Sequence, residues 1–173
     1  FIASEAFVHV DGEMEQSILR EVESWDAERG DTASPGQTGD WGRLGDTDPL
    51  SPDAEREMFF RMNYLKFRAN SLRLQFDPDR ATLAEVQRIE RLVHGARLVR
   101  DRIVTANTRL VMAIVKKMVS PRHPFDDLLS EGMWLLIRVV DKFDYNRGFR
   151  LRLDGYRSIA RHVNRYLANQ QRH

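Results

Sequence analysis

From Leu50 to the end of the chain, apolar residues return at helical spacing and show no sustained strand alternation, which commits this part to α-helices. Met58, Phe59, Met62, Leu65 and Leu72 recur three, four or seven positions apart, as one buried stripe requires. Ser51 before Pro52, Asp53 and Glu55 supplies an N-cap, a first-turn proline and acids at the positive end of a helix dipole. Phe76-Asp77-Pro78-Asp79 breaks that helix, and Thr82 with Glu85 makes a capping box for the next. Its apolar face continues through Leu83, Val86, Ile89, Val93 and Ala96, and periodicity resumes through Ile103, Leu110, Ile114 and Val115, ending before Pro121 and Pro124. Asp126 can cap a helix from Leu128 to Asp141, which Asn146 and Gly148 terminate. A last helix covers Asp154 to Gln170, with Ile159, Val163, Tyr166 and Leu167 on its inner face. The fold class read from this is all-α, a compact helical bundle with short connections.

Residues 1–49 read differently, as a largely irregular acidic leader. One short amphipathic stretch, around Met14 to Trp25, places Ile18, Leu19, Val22 and Trp25 along one face. Gly30 to Asp48 is rich in Gly, Asp, Ser, Thr and Pro, the composition of a linker. The expected division is thus a leader over 1–49 and a helical domain over 50–173. The chain begins without Met and stops at Gln170-Gln171-Arg172-His173, so a fragment of a longer protein is expected.

The overall charge of +1 conceals a gradient. Residues 1–50 carry twelve acids against the three bases Arg20, Arg29 and Arg43, a net of −9. Residues 145–173 carry seven arginines against the single acid Asp154, a net of +6. A basic end of this kind suits a polyanion or is simply a solvated face. The chain has no cysteine, which excludes disulfides, thiolate metal sites and cysteine nucleophiles. It carries no bilayer-length apolar run and no signal-peptide pattern, so no membrane partner and a cytoplasmic location are expected. His9, His94, His123, His162 and His173 are scattered without ligand spacing, and no phosphate-cradling glycine loop or Gly-x-Ser-x-Gly elbow occurs. Asp126-Asp127 is a carboxylate pair at a helix start, where adjacent acids serve as caps. No catalytic residue, no metal site and no cofactor is therefore assigned, and the chain reads as a non-enzyme.

Three motifs follow in order: Asn107-Thr-Arg-Leu-Val-Met-Ala-Ile-Val-Lys-Lys117, Pro124-Phe-Asp-Asp-Leu-Leu-Ser-Glu-Gly132 and Asp141-Lys-Phe-Asp-Tyr-Asn-Arg-Gly148. This order and spacing resembles region 2 of the bacterial sigma-70 family, where the pieces run Asn-Leu-Arg-Leu-Val, Asp-Leu-Ile-Gln-Glu-Gly and Lys-Phe-Asp-Tyr-x-Arg-Gly. The helix from Leu50 to Arg73 resembles region 1.2 of the same family with lower specificity. The resemblance covers about 50–76 and 100–171, with a helical insertion over about 77–99.

The resemblance implies a transcription initiation factor that binds core RNA polymerase and engages the minus-ten region of the promoter. It implies docking on the clamp helices of the largest catalytic subunit through Asp127, Ser130, Glu131, Met133 and Ile137, with Ser130 and Met133 replacing the family's Gln and Asn. Trp134 and Leu135 beside Met133 make that helix apolar nearly all round, so core packing is the competing reading for Met133 and Ile137. Arg147, Arg150, Arg152, Arg157, Arg161 and Arg165 form the candidate DNA surface; Arg157, Arg161 and Arg165 lie four apart, on one face opposite Ile159 and Val163. Arg161 and Asn164 suit guanine and adenine edges. Asn107 and Arg109 fall where the family holds downstream bases of the minus-ten non-template strand. Phe143 reads as core and Tyr145 as exposed enough to touch DNA.

One segment departs from the family. After Arg-Gly-Phe the family carries Phe-Ser-Thr-Tyr-Ala and then a pair of large rings that stack the flipped minus-ten adenine. Here Leu151-Arg-Leu-Asp-Gly-Tyr-Arg-Ser158 stands instead. Asp154 takes the place of the stacking tyrosine, Arg157 and Ser158 the places of the ring pair, and Tyr156 is the aromatic left nearby. Asp154 could accept from a cytosine amino group. Promoter melting by adenine capture is therefore open. The alternatives are a degenerate sigma relative that binds polymerase or a partner such as an anti-sigma factor without melting DNA, and an unrelated duplex-DNA-binding helical domain. The acidic leader, in turn, is either a solvated linker or a module covering the DNA path, as in many primary sigma factors.

Overall fold

The computed structural model describes residues 1–30 and 48–170. Its elements are a 3-10 turn at Glu5–His9, helices α1 (Gly12–Gly30), α2 (Pro52–Gln75), α3 (Leu83–Val115) and α4 (Phe125–Lys142), a 3-10 turn at Tyr145–Arg147, and α5 (Leu151–Gln170). There is no strand among the described residues; an isolated bridge joins Ser120 to His123 in the turn before α4. The all-α expectation holds. Packing divides the chain into two units, one within 1–38 and Asp53–Arg102, the other within 39–52 and Ile103–His173.

The first unit contains most of what the leader expectation missed. Helix α1 runs over Gly12–Gly30, well beyond the short stretch anticipated, because Asp11 Oδ1 accepts the Met14 amide at 2.8 Å and starts it cleanly. It buries Ile18, Leu19 and Val22 with Phe59, Met62, Leu65, Leu92 and Val99 of α2 and α3. Burying each such side chain is worth roughly 1.5–3 kcal/mol, which explains how an acidic leader stays docked. At Gly95 an added Cβ would stand 3.3 Å from Leu65 and 3.4 Å from Leu19, so α1 and α2 both come close at that point. Phe7 closes the near end, with ring centroids 5.5 Å from Phe60, 5.8 Å from Tyr64 and 5.4 Å from Phe67. The linker expected over 31–47 lies outside the described residues.

The capping box forms as read: Glu85 accepts the Thr82 amide at 2.8 Å while Thr82 Oγ1 accepts the Glu85 amide at 3.3 Å. From it α3 continues without a break to Val115, so the insertion about 77–99 and the following motif helix are one element. Of the face read from spacing Ala96 is buried, Val86, Ile89 and Val93 are half-buried and Leu83 is exposed, whereas Leu92, Leu98 and Val99 beside it are buried. The two apolar stripes on this helix are adjacent, and packing chose the neighbour of the one read from spacing.

In the second unit, Val111, Ile114 and Val115 meet Leu128, Leu129, Leu136 and Val140 of α4 and Leu151, Ile159 and Val163 of α5, all essentially fully buried. Gly132 permits this closeness: a Cβ there would lie 2.5 Å from Val111 Cγ1. Helix α4 starts at Phe125 behind Pro124, which makes no side-chain cap bond; Asp126 sits inside the first turn and is not the cap. The 3-10 turn is capped by Asp144, whose Oδ1 accepts the Asn146 amide at 3.1 Å, and ends on Gly148 at φ 73°, a backbone that suits glycine. Helix α5 then begins at Leu151, three residues earlier than expected, because fully buried Leu151 anchors the first turn.

Candidate nucleic-acid interface and docking helix

On α5, Ile159 and Val163 are fully buried, and this fixes the rotation of the helix. Arg157, Arg161 and Arg165, four apart, are consequently exposed along one face, with Arg152 and Asn164 exposed as well. Arg152, Arg157 and Arg161 have no carboxylate partner among the described residues. Arg165 Nη2 hydrogen-bonds His162 Nδ1 at 3.0 Å, and His162 Nε2 meets Glu131 Oε1 at 2.8 Å. A guanidinium only donates, so Nδ1 accepts and Nε2 carries the proton given to Glu131. That relay ties a residue of the expected docking face to one of the expected DNA face. The sequence held no signal for it, since Glu131 and His162 lie 31 positions apart on different helices.

A hollow between α4 and α5 is lined by four cations, Arg138, Lys142, Arg147 and Arg165, and by the carboxylates of Asp144 and Asp154. Phe143, Ser158 and His162 complete its wall. Arg147 reaches its rim from the turn and stands 5.9 Å over the Phe149 ring. Two aromatic rings are open to solvent on this side of the sequence, Phe149 at 57% and Tyr156 at 41% exposure. Asp154 is exposed at the position where the resemblance placed a stacking ring.

Three expected DNA residues sit otherwise than anticipated. Tyr145 is only 5% exposed and packs beside buried Phe143, so both rings belong to the core and the reading of Tyr145 as exposed is corrected. Asn107 is equally buried, and its Nδ2 donates to the Ile103 carbonyl at 2.8 Å, one helical turn back. Its neighbour Thr108 does the same to Val104 at 3.2 Å. Arg150 is half-buried and donates to the Leu50 carbonyl at 3.0 Å. Arg109 and Arg147 are exposed.

The five residues of the expected docking helix line the outer side of α4. Asp127 and Ser130 are exposed; Glu131, Met133 and Ile137 are half-buried. Helix α4 is not apolar all round, because Trp134 is 48% exposed with the Arg138 guanidinium 4.6 Å above its ring. An exposed tryptophan amid Asp127, Ser130 and Ile137 is the kind of anchor that protein interfaces concentrate.

The second unit thus pairs a half-apolar face on α4 with an exposed arginine row on α5. The family model described as Sigma-70 region 2 matches residues 103–173. The chain is 36% identical over 88 residues to the RNA polymerase sigma factor SigA of a Bacillus species, an alignment covering 51% of this chain and 23% of that protein. It is 35% identical over 88 residues to the RNA polymerase sigma factor SigA of Clostridium acetobutylicum, with the same coverage of 51% and 23%. The chain thus spans about a quarter of the length of these relatives, and residues 103–173 are the part that matches Sigma-70 region 2. No helix among the described residues is long and apolar enough to cross a membrane.

Proposed function

We propose that the chain acts in transcription initiation, binding core RNA polymerase and engaging promoter DNA near the minus-ten element. It works stoichiometrically, by binding and positioning and not by catalysis. The observation that carries the reading is the exposed row Arg157, Arg161 and Arg165 over the buried Ile159 and Val163, within the segment matched by Sigma-70 region 2. Each arginine that meets a phosphate releases condensed counterions, so the binding is salt-dependent. Arg147 and Arg152 extend the surface, while Arg161 and Asn164 reach base edges.

Polymerase docks on the outer side of α4, through Asp127, Ser130, Glu131, Met133 and Ile137, on the clamp helices of the largest subunit. Exposed Trp134 supports that assignment by offering a ring to bury at its centre. The family's adenine capture is altered here: Asp154 stands at the rim of the hollow and favours an amino-group donor over a stacked adenine, and Phe149 and Tyr156 are the exposed rings left for unpaired bases. That substitution pattern also sustains a second reading, a sigma relative that binds polymerase without melting promoter DNA.

The test is binding of the purified chain to bacterial core polymerase, wild type beside Asp127→Arg and Glu131→Arg. Both substitutions are expected to abolish binding with the helical circular dichroism unchanged. Asp127→Arg leaves the Glu131–His162 bond in place and so separates docking from local packing. Normal binding by both variants would remove the docking assignment.

A further inference from the structure

Helix α1 shows what the α2–α3 pair accepts. It lays Ile18, Leu19 and Val22 into their shared core and reaches outward with four carboxylates. Glu15 meets Arg68 at 2.6 Å and Arg88 at 2.9 Å, Glu21 meets Arg61 at 2.7 Å, Glu23 pairs with Arg91, and Asp26 meets His94 at 2.9 Å. The occupant of that side is an acidic amphipathic helix.

A second groove between α2 and α3 repeats the pattern on another side. Its floor is small and apolar, Ala69 and Ala96 buried, Ile89 and Val93 half-buried. Its rims carry Lys66 and Arg73 from α2, Arg97 and Arg100 from α3, and no carboxylate belongs to its lining. On α2 these cations stand five residues beyond Arg61 and Arg68, about 140° further round the helix. On α3, Arg100 stands nine residues beyond Arg91, about 180° round. The groove is therefore distinct from the seat of α1, and it lies outside residues 103–173, away from the segment on which the sigma reading rests.

We propose that this groove docks an acidic amphipathic helix of a partner protein. The apolar floor decides against a nucleic acid as the occupant, because a phosphate chain would cover Ile89 and Val93 with charge while leaving them no apolar partner. A helix with a leucine-type stripe buries them, and its flanking carboxylates meet Arg73 and Arg97, both exposed, while Arg100 is already held by Asp101 at 2.8 Å; the match sets orientation and speeds encounter. The alanines let the incoming backbone approach closely.

The test uses the whole chain and a labelled synthetic peptide with the sequence of residues 12–27, an acidic amphipathic helix of known fit to α2 and α3. Fluorescence anisotropy should report binding, weakened about tenfold by Arg97→Glu and likewise by Arg73→Glu, each a loss of about 1.4 kcal/mol. Arg56→Glu, an exposed α2 residue outside the groove, should leave it unchanged. A peptide with its glutamates changed to lysine should not bind. No binding, or binding equal in all three variants, would overturn the proposal; the latter would mean that the peptide displaces the resident α1. Binding of a single-stranded oligonucleotide, lost in Arg97→Glu while the peptide does not bind, would overturn it in favour of nucleic acid. Concentration-dependent self-association abolished by Arg97→Glu, again without peptide binding, would overturn it in favour of a second copy.

Discussion

The two units of this chain use the same residue, arginine, in opposite ways. In the first, Arg61, Arg68, Arg88 and Arg91 are each held by a carboxylate of α1, and Arg102 lies 4.3 Å over the Trp25 ring. In the second, Arg152, Arg157 and Arg161 stand exposed on α5 with no such partner among the described residues. The net charge of a segment is thus a poor guide to its partner. Where α1 lies on α2 and α3 its carboxylates neutralise the facing arginines, whereas α5 displays its arginines as a row. Removing an arginine that α1 holds should therefore be read as a loss of stability, and removing one from α5 as a loss of binding.

The largest effect expected tests packing in the second unit. Gly132→Ala forces a Cβ to within 2.5 Å of Val111 Cγ1, and overpacking of this kind costs about 1–3 kcal/mol. A lowered thermal midpoint checks it, and an unchanged midpoint would mean that α3 and α4 can separate freely.

Next comes the ion lattice of the first unit. Burial alone would raise the Glu15 carboxyl, but hydrogen bonds from Arg68, Arg88 and Tyr64 outweigh it and hold the group below the ordinary carboxylate range. Tyr64 is pushed well up in turn, by burial first and then by the Glu15 charge. Because the folded value of Glu15 is depressed, its contribution is complete at neutral pH and is lost as pH falls below about 4 through the folded value. Glu15→Gln should cost about 1–2 kcal/mol at pH 7, discounted because Arg88 is half in solvent, and nothing further at low pH. Urea unfolding at pH 7 and pH 3 checks both; a wild-type advantage no smaller at pH 3 than at pH 7 would break the assignment.

The smallest effect on stability, and the most telling, belongs to α5. Arg157→Ala, Arg161→Ala and Arg165→Ala should each change unfolding free energy by less than about 0.5 kcal/mol. Each should nevertheless reduce the slope of log affinity against log salt for promoter DNA by about 0.9. Unaltered slopes, or a stability loss as large as that of Glu15→Gln, would erase the contrast between the units.

Much of this was legible in local sequence. The Thr82–Glu85 box and the Ile159–Val163 spine depend on residues within a turn or two of each other, and both appear as read, whereas Gly148 ends the 3-10 turn and not α4, which stops at Lys142. What failed needed distant partners. The continuity of α3 was hidden by a shift from one apolar stripe to its neighbour. Tyr145 looked like a surface ring because nothing nearby in sequence shows the neighbours that cover it. The extent of α1 was hidden by its acids, which lower apparent amphipathicity while their countercharges lie far along the chain.

Sequence by itself determined that this chain is helical, where its helices roughly fall, and which family model its residues 103–173 match. Those properties follow from hydrogen bonds and apolar periodicity within a few turns, and from an ordered set of motifs. Only the tertiary structure decided which charges are neutralised and which are displayed. Glu15 finds Arg68 across 53 positions and Arg88 across 73, and Glu131 finds His162 across 31. Coulomb and hydrogen-bond energies act over a few ångströms of space, whatever the separation along the chain, so packing had to bring those groups together before their roles could be assigned.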